Sequence, residues 1–286
     1  MTRIFDPTPC RLGEGPLWHP ALGQLFWFDI LDRKLLTRRD GDTRVWQFDD
    51  HVSAAGWLDE TALLVASSSA LFRFELETGA REDICPLEAD NPDTRSNDGR
   101  ADPWGGFWIG TMGFNAEDGA GAIYRYFRGE LRRILPGITI PNAICFDPDG
   151  GHACYCDTRE HVIRRLRLNE ADGWPEGESE VFIDMREHDW GPDGAVIDAD
   201  GRFWNAQWGA ARVAVYDRDG RLTETVPLGA HQTSCPAFGG DDLSTLFVTS
   251  ARDGLPESAI VARPENGMTF AVEAVGKGQP EHKVIL

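Results

Sequence analysis

Short apolar runs separated by turn residues follow one another along the whole chain. QLFWFDI (24–30), ALLVASS (62–68), GFWIGTM (106–112), HACYCDT (152–158), RFWNAQW (202–208) and TLFVTSA (245–251) are each rich in aromatic or β-branched side chains. ALFRFEL, AIYRYFR, VIRRLRL and VAVYDRD follow four of them after a short gap. Runs of this kind at roughly ten-residue spacing predict strands, and signals for helices are scarce. The segments between them are turn formers: DPDGG at 147–151, DADG at 198–201, DRDG at 217–220 and GGDD at 239–242. Asp-Gly pairs suit hairpins because Gly accepts positive φ.

A longer period is laid over the short one. A small-residue or Asn/Asp segment, then an aromatic strand, then a more polar strand recurs from Glu14, Ser53, Asn97, Asn142, Asp193 and Cys235, at spacings of 39, 44, 45, 51 and 42 residues. Units of 40 to 50 residues with several strands each are the signature of propeller blades. We therefore expect an all-β fold, a six-bladed β-propeller in a single domain spanning residues 1–286, with the last blade closed by the N-terminal strand or the C-terminal tail. The loop ADGWPEGESE at 171–180 accounts for the longest unit.

Composition narrows the partners. The chain carries 47 Asp and Glu against 28 Lys and Arg, a net charge of −19. Such a surface repels phosphate backbones and anionic membranes, which excludes general nucleic-acid binding. No segment approaches 18 apolar residues, and MTRIFDPTPC has no apolar signal core. The six cysteines form no CxxC pair, so reduced thiols in the cytoplasm are expected. A monomer is the default.

In a propeller, residues at the entrance to the innermost strands converge from distant parts of the sequence. Those positions hold Glu14 in LGEGP, Arg95, Asn97 and Asp98 in TRSNDGR, Asn142 in TIPNAICF and Asp193 in GPDGAVID. Each also suits a plain turn, but Asp193 sits ahead of a predicted strand where no turn requires it. Two carboxylates and an amide at one mouth make an oxygen-rich pocket, and hard or borderline divalent cations suit such donors. The Asp-rich hairpins lack the register of a calcium loop and read as turns. No HExxH, G-x-S-x-G, P-loop or dinucleotide fingerprint occurs, which argues against zinc-peptidase, serine-esterase and nucleotide chemistry.

LGEGPLWHP, SNDGRADPWGGFWIGTM, PNAICFDPDG, GPDGAVIDADGRFWNAQWG and SCPAFGGDDLSTLFVTSARDG, in that order, resemble the SMP-30/gluconolactonase/LRE family over nearly the whole chain. The resemblance implies a six-bladed propeller with one divalent metal held by Glu14, Asn142 and Asp193. It implies Arg95 and Asn97 as substrate contacts, with Asn115 nearest a third contact that is acidic in regucalcin. The implied activity is hydrolysis of a sugar lactone to its aldonic acid, with Asp193 as ligand and general base. Ca²⁺, Zn²⁺, Mn²⁺, Mg²⁺ and Fe²⁺ all suit the donors. A phosphotriesterase-type hydrolase on the same propeller and a calcium-binding regulatory module without turnover are the alternatives.

Overall fold

Strands carry nearly all the regular structure of the computed structural model, which describes residues 2–286. One short α-helix, Glu257–Ala262, interrupts them. Four antiparallel sheets of four strands each follow in chain order, over 13–47, 52–86, 94–138 and 141–184. The remaining strands join in an eight-stranded sheet. It runs Thr2–Asp6, Thr269–Val272, Thr245–Ala251, Gln232–Gly239, Phe203–Trp208, Arg212–Tyr216 and Leu222–Pro227, with Gly191–Ile197 also paired to Phe203–Trp208. A single residue pair, Trp208 with Gln232, connects its two halves. The N-terminal strand lies beside Thr269–Val272, so the two ends of the chain close the fold together.

The first strand of each unit is the innermost. Gly13–His19, Val52–Trp57, Thr94–Ala101, Pro141–Phe146, Gly191–Ile197 and Gln232–Gly239 pack side by side in sequence order, and the last returns to the first. Gly13–His19, Pro141–Phe146, Gly191–Ile197 and Gln232–Gly239 are buried at every position. Strands at the rim, such as Leu222–Pro227, are mostly exposed. This radial gradient, in an all-β propeller-like fold, explains why the inner strands read as continuous apolar or small-residue runs and the outer ones as polar. Apolar side chains fill the wedges between neighbouring sheets; Ala54, Leu64 and Leu71 meet Phe107, Ile109 and Tyr126 in one of them.

The hairpin aspartates do more than turn the chain. Asp198 accepts hydrogen bonds from the Asp200 and Arg202 amides, and also from Trp204 Nε1 at 2.9 Å. Asp102 repeats the device: it accepts from the Trp104 and Gly106 amides, from Trp108 Nε1 at 3.1 Å and from Arg125 Nε at 2.6 Å. Each carboxylate ties a hairpin to a fully buried Trp.

At the end of the channel away from Glu14, Asn142 and Asp193, the C-terminal tail crosses the inner strands. Gln279 Nε2 donates to the carbonyls of Phe146 and Ile197 at 3.1 and 2.9 Å. Glu281 pairs with Arg100 in a site where both side chains are nearly buried. Val284 is 2% exposed and packs on Ala54, Ala101 and Phe107.

Candidate metal centre and substrate pocket

The inner strands are not regular. Their pairing to the second strand slips between Glu14 and Leu17, Ser96 and Gly99, Asn142 and Cys145, and Pro192 and Ala195. Each slip is a β-bulge, a device that leaves residues unpaired and re-aims side chains. Glu14, Asn97, Asp98, Asn142 and Asp193 all sit at or inside these bulges. Asp193 therefore lies within a strand, not ahead of it, and the extra residue of the bulge turns its carboxylate into the channel.

Two glycines make the bulges possible. Gly15 has φ +52, and a Cβ there would come within 2.2 Å of the Ser53 carbonyl oxygen on the next inner strand. A Cβ on Gly194 would come within 2.3 Å of Cys235 Sγ. The inner ring is too narrow at both points for any side chain. Ala143, beside Asn142, is held at φ +59, a left-handed conformation that costs a non-glycine residue on the order of 1 kcal/mol or more.

Hydrogen bonds then orient the polar groups. Arg95 Nη1 donates to Asn97 Oδ1 at 2.8 Å and to the Ser96 carbonyl at 2.9 Å. Asn97 Nδ2 donates to Asn142 Oδ1 at 3.2 Å and to the Pro141 carbonyl at 3.0 Å. Asn142 Nδ2 donates to Thr158 Oγ1 at 2.9 Å, and Thr158 in turn donates to the Pro192 carbonyl. Thr158 thus sets the amide so that Asn142 turns its oxygen toward the channel. Asn205 Nδ2 donates to the carbonyls of Asp193 and Gly194 and pins that bulge. Asp98 is chiefly structural: its carboxylate accepts the Ile144 amide at 2.8 Å.

The electrostatics of this cluster are unbalanced. Glu14 and Asp193 are each 5% exposed. Burial, then the Asp98 carboxylate, pushes the Glu14 carboxyl up to about 8. Burial, then Glu14 and Asp98, holds Asp193 well above the usual carboxylate range. Asp98 is pushed up to about 6 by burial. A carboxylate has about four lone-pair sites. Glu14 accepts one backbone amide, Gly15, at 3.0 Å, and the lowering effect of the Gly194 amide on Asp193 does not offset its burial. Two acidic groups short of partners, beside an oriented amide oxygen, fit a divalent cation. Among the described residues no group of three His, Cys, Asp or Glu side chains gathers at metal-binding geometry.

A cavity of about 290 Å³ opens above this cluster. Glu14, Arg95, Asn97, Asn142 and Asp193 line it together. Leu12, Met112, Ile140 and Trp208 form its apolar wall, and Asp253 completes it. Its volume lies at the small end for ligand pockets, about 300–1,000 Å³, which suits a compact molecule. Arg95 is buried, its Nε has no hydrogen-bond partner, and burial lowers its guanidinium to about 10. Nη1 is already committed to Asn97 and Ser96, so Nη2 is the nitrogen left to serve a ligand in the cavity.

Asn115 is not brought into this cavity. It is exposed, and both its amide nitrogen and its side chain donate to Glu117, closing a surface turn with Ala116 at φ +56. Met112, three residues earlier, holds the pocket wall instead. Thr158 and Asp253 were not singled out in the sequence, since nothing in HACYCDT or SARDG sets them apart from their neighbours; Trp208 closes the FWNAQW run and walls the pocket.

A family profile described as the SMP-30/Gluconolactonase/LRE-like region matches residues 12–252. The crystal structure of a calcium-binding protein, regucalcin, from Agrobacterium tumefaciens superimposes with a TM-score of 0.98 at 42% identity, covering 100% of this chain and 98% of the other. An L-arabinolactonase of Azospirillum brasilense is 36% identical over 94% of this chain and 91% of its own length. A 6-deoxy-6-sulfogluconolactonase of Pseudomonas putida is 31% identical over 95% of each chain.

Proposed function

The chain belongs to the SMP-30/gluconolactonase/LRE-like family, and on that premise we propose that it hydrolyses a sugar lactone to the open-chain aldonic acid. In this reading Glu14, Asn142 and Asp193 hold one divalent cation, which when bound supplies Lewis acidity toward the ester carbonyl. The all-oxygen donor set favours hard cations, and calcium is the first to test. Zn²⁺, Mn²⁺, Mg²⁺ and Fe²⁺ follow.

The protein's own groups do the rest. Arg95, through Nη2, and Asn97, which Arg95 Nη1 holds in place, bind and orient the lactone oxygens. The apolar wall of Leu12, Met112, Ile140 and Trp208 limits water around the ring. Asp193 takes a proton from the attacking water at its carboxylate. The water oxygen bonds to the carbonyl carbon, the ring C–O bond breaks, and the proton passes to the departing ring oxygen. Asn205, by fixing the Asp193 backbone, keeps that carboxylate in place. The observation carrying the reading is the pair of buried, partner-starved carboxylates beside an oriented amide, in one pocket with the buried Arg95 guanidinium.

We also read the eight-stranded sheet as two blades held by the single Trp208–Gln232 pair, which makes six blades in one domain. All six thiols are free, as suits a cytoplasmic protein. We take the working unit to be a monomer. The deciding experiment follows proton release from a panel of sugar lactones after chelation and then with each cation restored. Cation-restored acceleration over the spontaneous rate supports the reading; no acceleration with any cation overturns it.

A further inference from the structure

Asp253 stands apart from the metal cluster yet lines the same cavity. Its backbone is fixed: the amides of Arg252 and Asp253 both donate to the Arg11 carbonyl, at 3.0 and 2.9 Å. Arg252 Nε also bonds the Asn266 carbonyl at 2.7 Å. The side chain is 44% exposed, and the ion pair it makes is with Arg11, 3.6 Å away and itself 59% exposed. Such a pair is screened by water and weak, so the carboxylate stays available to a ligand. Arg95 feels Glu14 first and Asp253 second among the charges that favour its ionised form, although burial outweighs both.

We propose that Asp253 is a specificity-determining residue, accepting hydroxyl hydrogens from a neutral sugar lactone and rejecting lactones with an anionic substituent. The inference rests on the lactonase reading and adds the substrate class. A carboxylate only accepts hydrogen bonds, so it pairs with sugar hydroxyls and with nothing on a carboxylate, sulfonate or phosphate. A second negative charge placed beside it in a half-buried pocket is repelled, which is discrimination by an unfavourable contact. Without Asp253, the buried Arg95 would leave this pocket open to anions. Trp208, half-buried, lines the same wall.

The test compares the cation-loaded enzyme with Asp253→Asn. Substrates are a neutral aldonolactone and an aldaric acid monolactone of equal carbon number. We expect the wild type to favour the neutral lactone. D253N should lose roughly 10-fold in kcat/KM on it, mainly through KM, and gain on the anionic one, so that the ratio shifts by about 10-fold or more. A ratio within about twofold of wild type overturns the inference while leaving the lactonase reading intact. Calorimetric binding of a neutral pentitol and of an aldonate anion needs no turnover. There, D253N should weaken the pentitol and strengthen the anion, and unchanged relative affinities overturn the inference. A wild-type protein that neither hydrolyses nor binds any of these molecules overturns both.

Discussion

Asp193 is asked to be stable in one state and useful in another. Without a cation, its ionised form is disfavoured by burial and by Glu14 and Asp98. We expect Asp193→Asn to lower kcat/KM by at least about 100-fold and to abolish tight cation binding, measured by calorimetry. In chelated protein the same substitution should raise Tm slightly, because it removes a carboxyl whose ionised form the fold disfavours. A chelated variant that melts well below wild type would contradict this. The pH dependence has a defined sign. Glu14 titrates at about 8 in the fold against an ordinary 4.5, so between these values the metal-free native state holds a proton that the unfolded chain has released. Stability of the metal-free protein therefore falls as pH rises through that window. Cation binding at pH 7 should release protons, and affinity should rise with pH up to about 8. Calorimetry in buffers of different ionisation enthalpy reads the proton count, and a count of zero would rule this account out.

At the scale of the element, the bulge and the hairpin aspartate are the repeating parts. The bulge gives each inner strand side chains that face the channel; the aspartate fastens the strand pair to the wedge behind it. Asp102 and Arg125 are both fully buried, and Arg125 also lies over the rings of Phe127 and Trp174. Asp102→Ala would strand this guanidinium and the Trp108 indole. We expect a loss of about 3–5 kcal/mol in urea unfolding, with kcat/KM of the surviving folded enzyme within about twofold of wild type. At Gly194 the constraint is steric: Gly194→Ala should cost about 1–3 kcal/mol by pushing against Cys235. The hairpin turns were legible from DADG and DRDG, because Asp-Gly pairs act locally. The grip of Asp102 and Asp198 on buried Trp rings was not: DADG and DRDG read alike as turns, yet Asp198 holds Trp204 while Asp217 accepts only the Asp219 and Arg221 amides.

Over the whole molecule, the chain's ends do two different jobs. The N-terminal strand completes a sheet, while the tail from Gln279 to Val284 stops the channel at the end away from the pocket. Deleting residues 279–286 would leave Arg100 without Glu281 and expose the core under Val284. We expect a loss of at least about 3 kcal/mol in urea unfolding, because a nearly buried guanidinium is left unpaired. Cation affinity should survive, since Glu14, Asn142 and Asp193 keep their strands. Equal stability of the truncated and full chains would show that the tail is decoration.

The all-β class, the strand spacing and the hairpins followed from the sequence, because alternation and turn chemistry act between near neighbours. Family motifs also marked Glu14, Arg95, Asn97, Asn142 and Asp193, all of which line one cavity. Asn115 shows the limit: a position counted along the chain was turned outward by one local pair of bonds to Glu117. Thr158, Trp208 and Asp253 come from strand ends far apart in sequence. Only the closed ring of inner strands brings them to one mouth. Local order is written in contiguous residues. Convergence depends on how many strands close the circle and where each one bulges, and no short stretch of sequence contains that information.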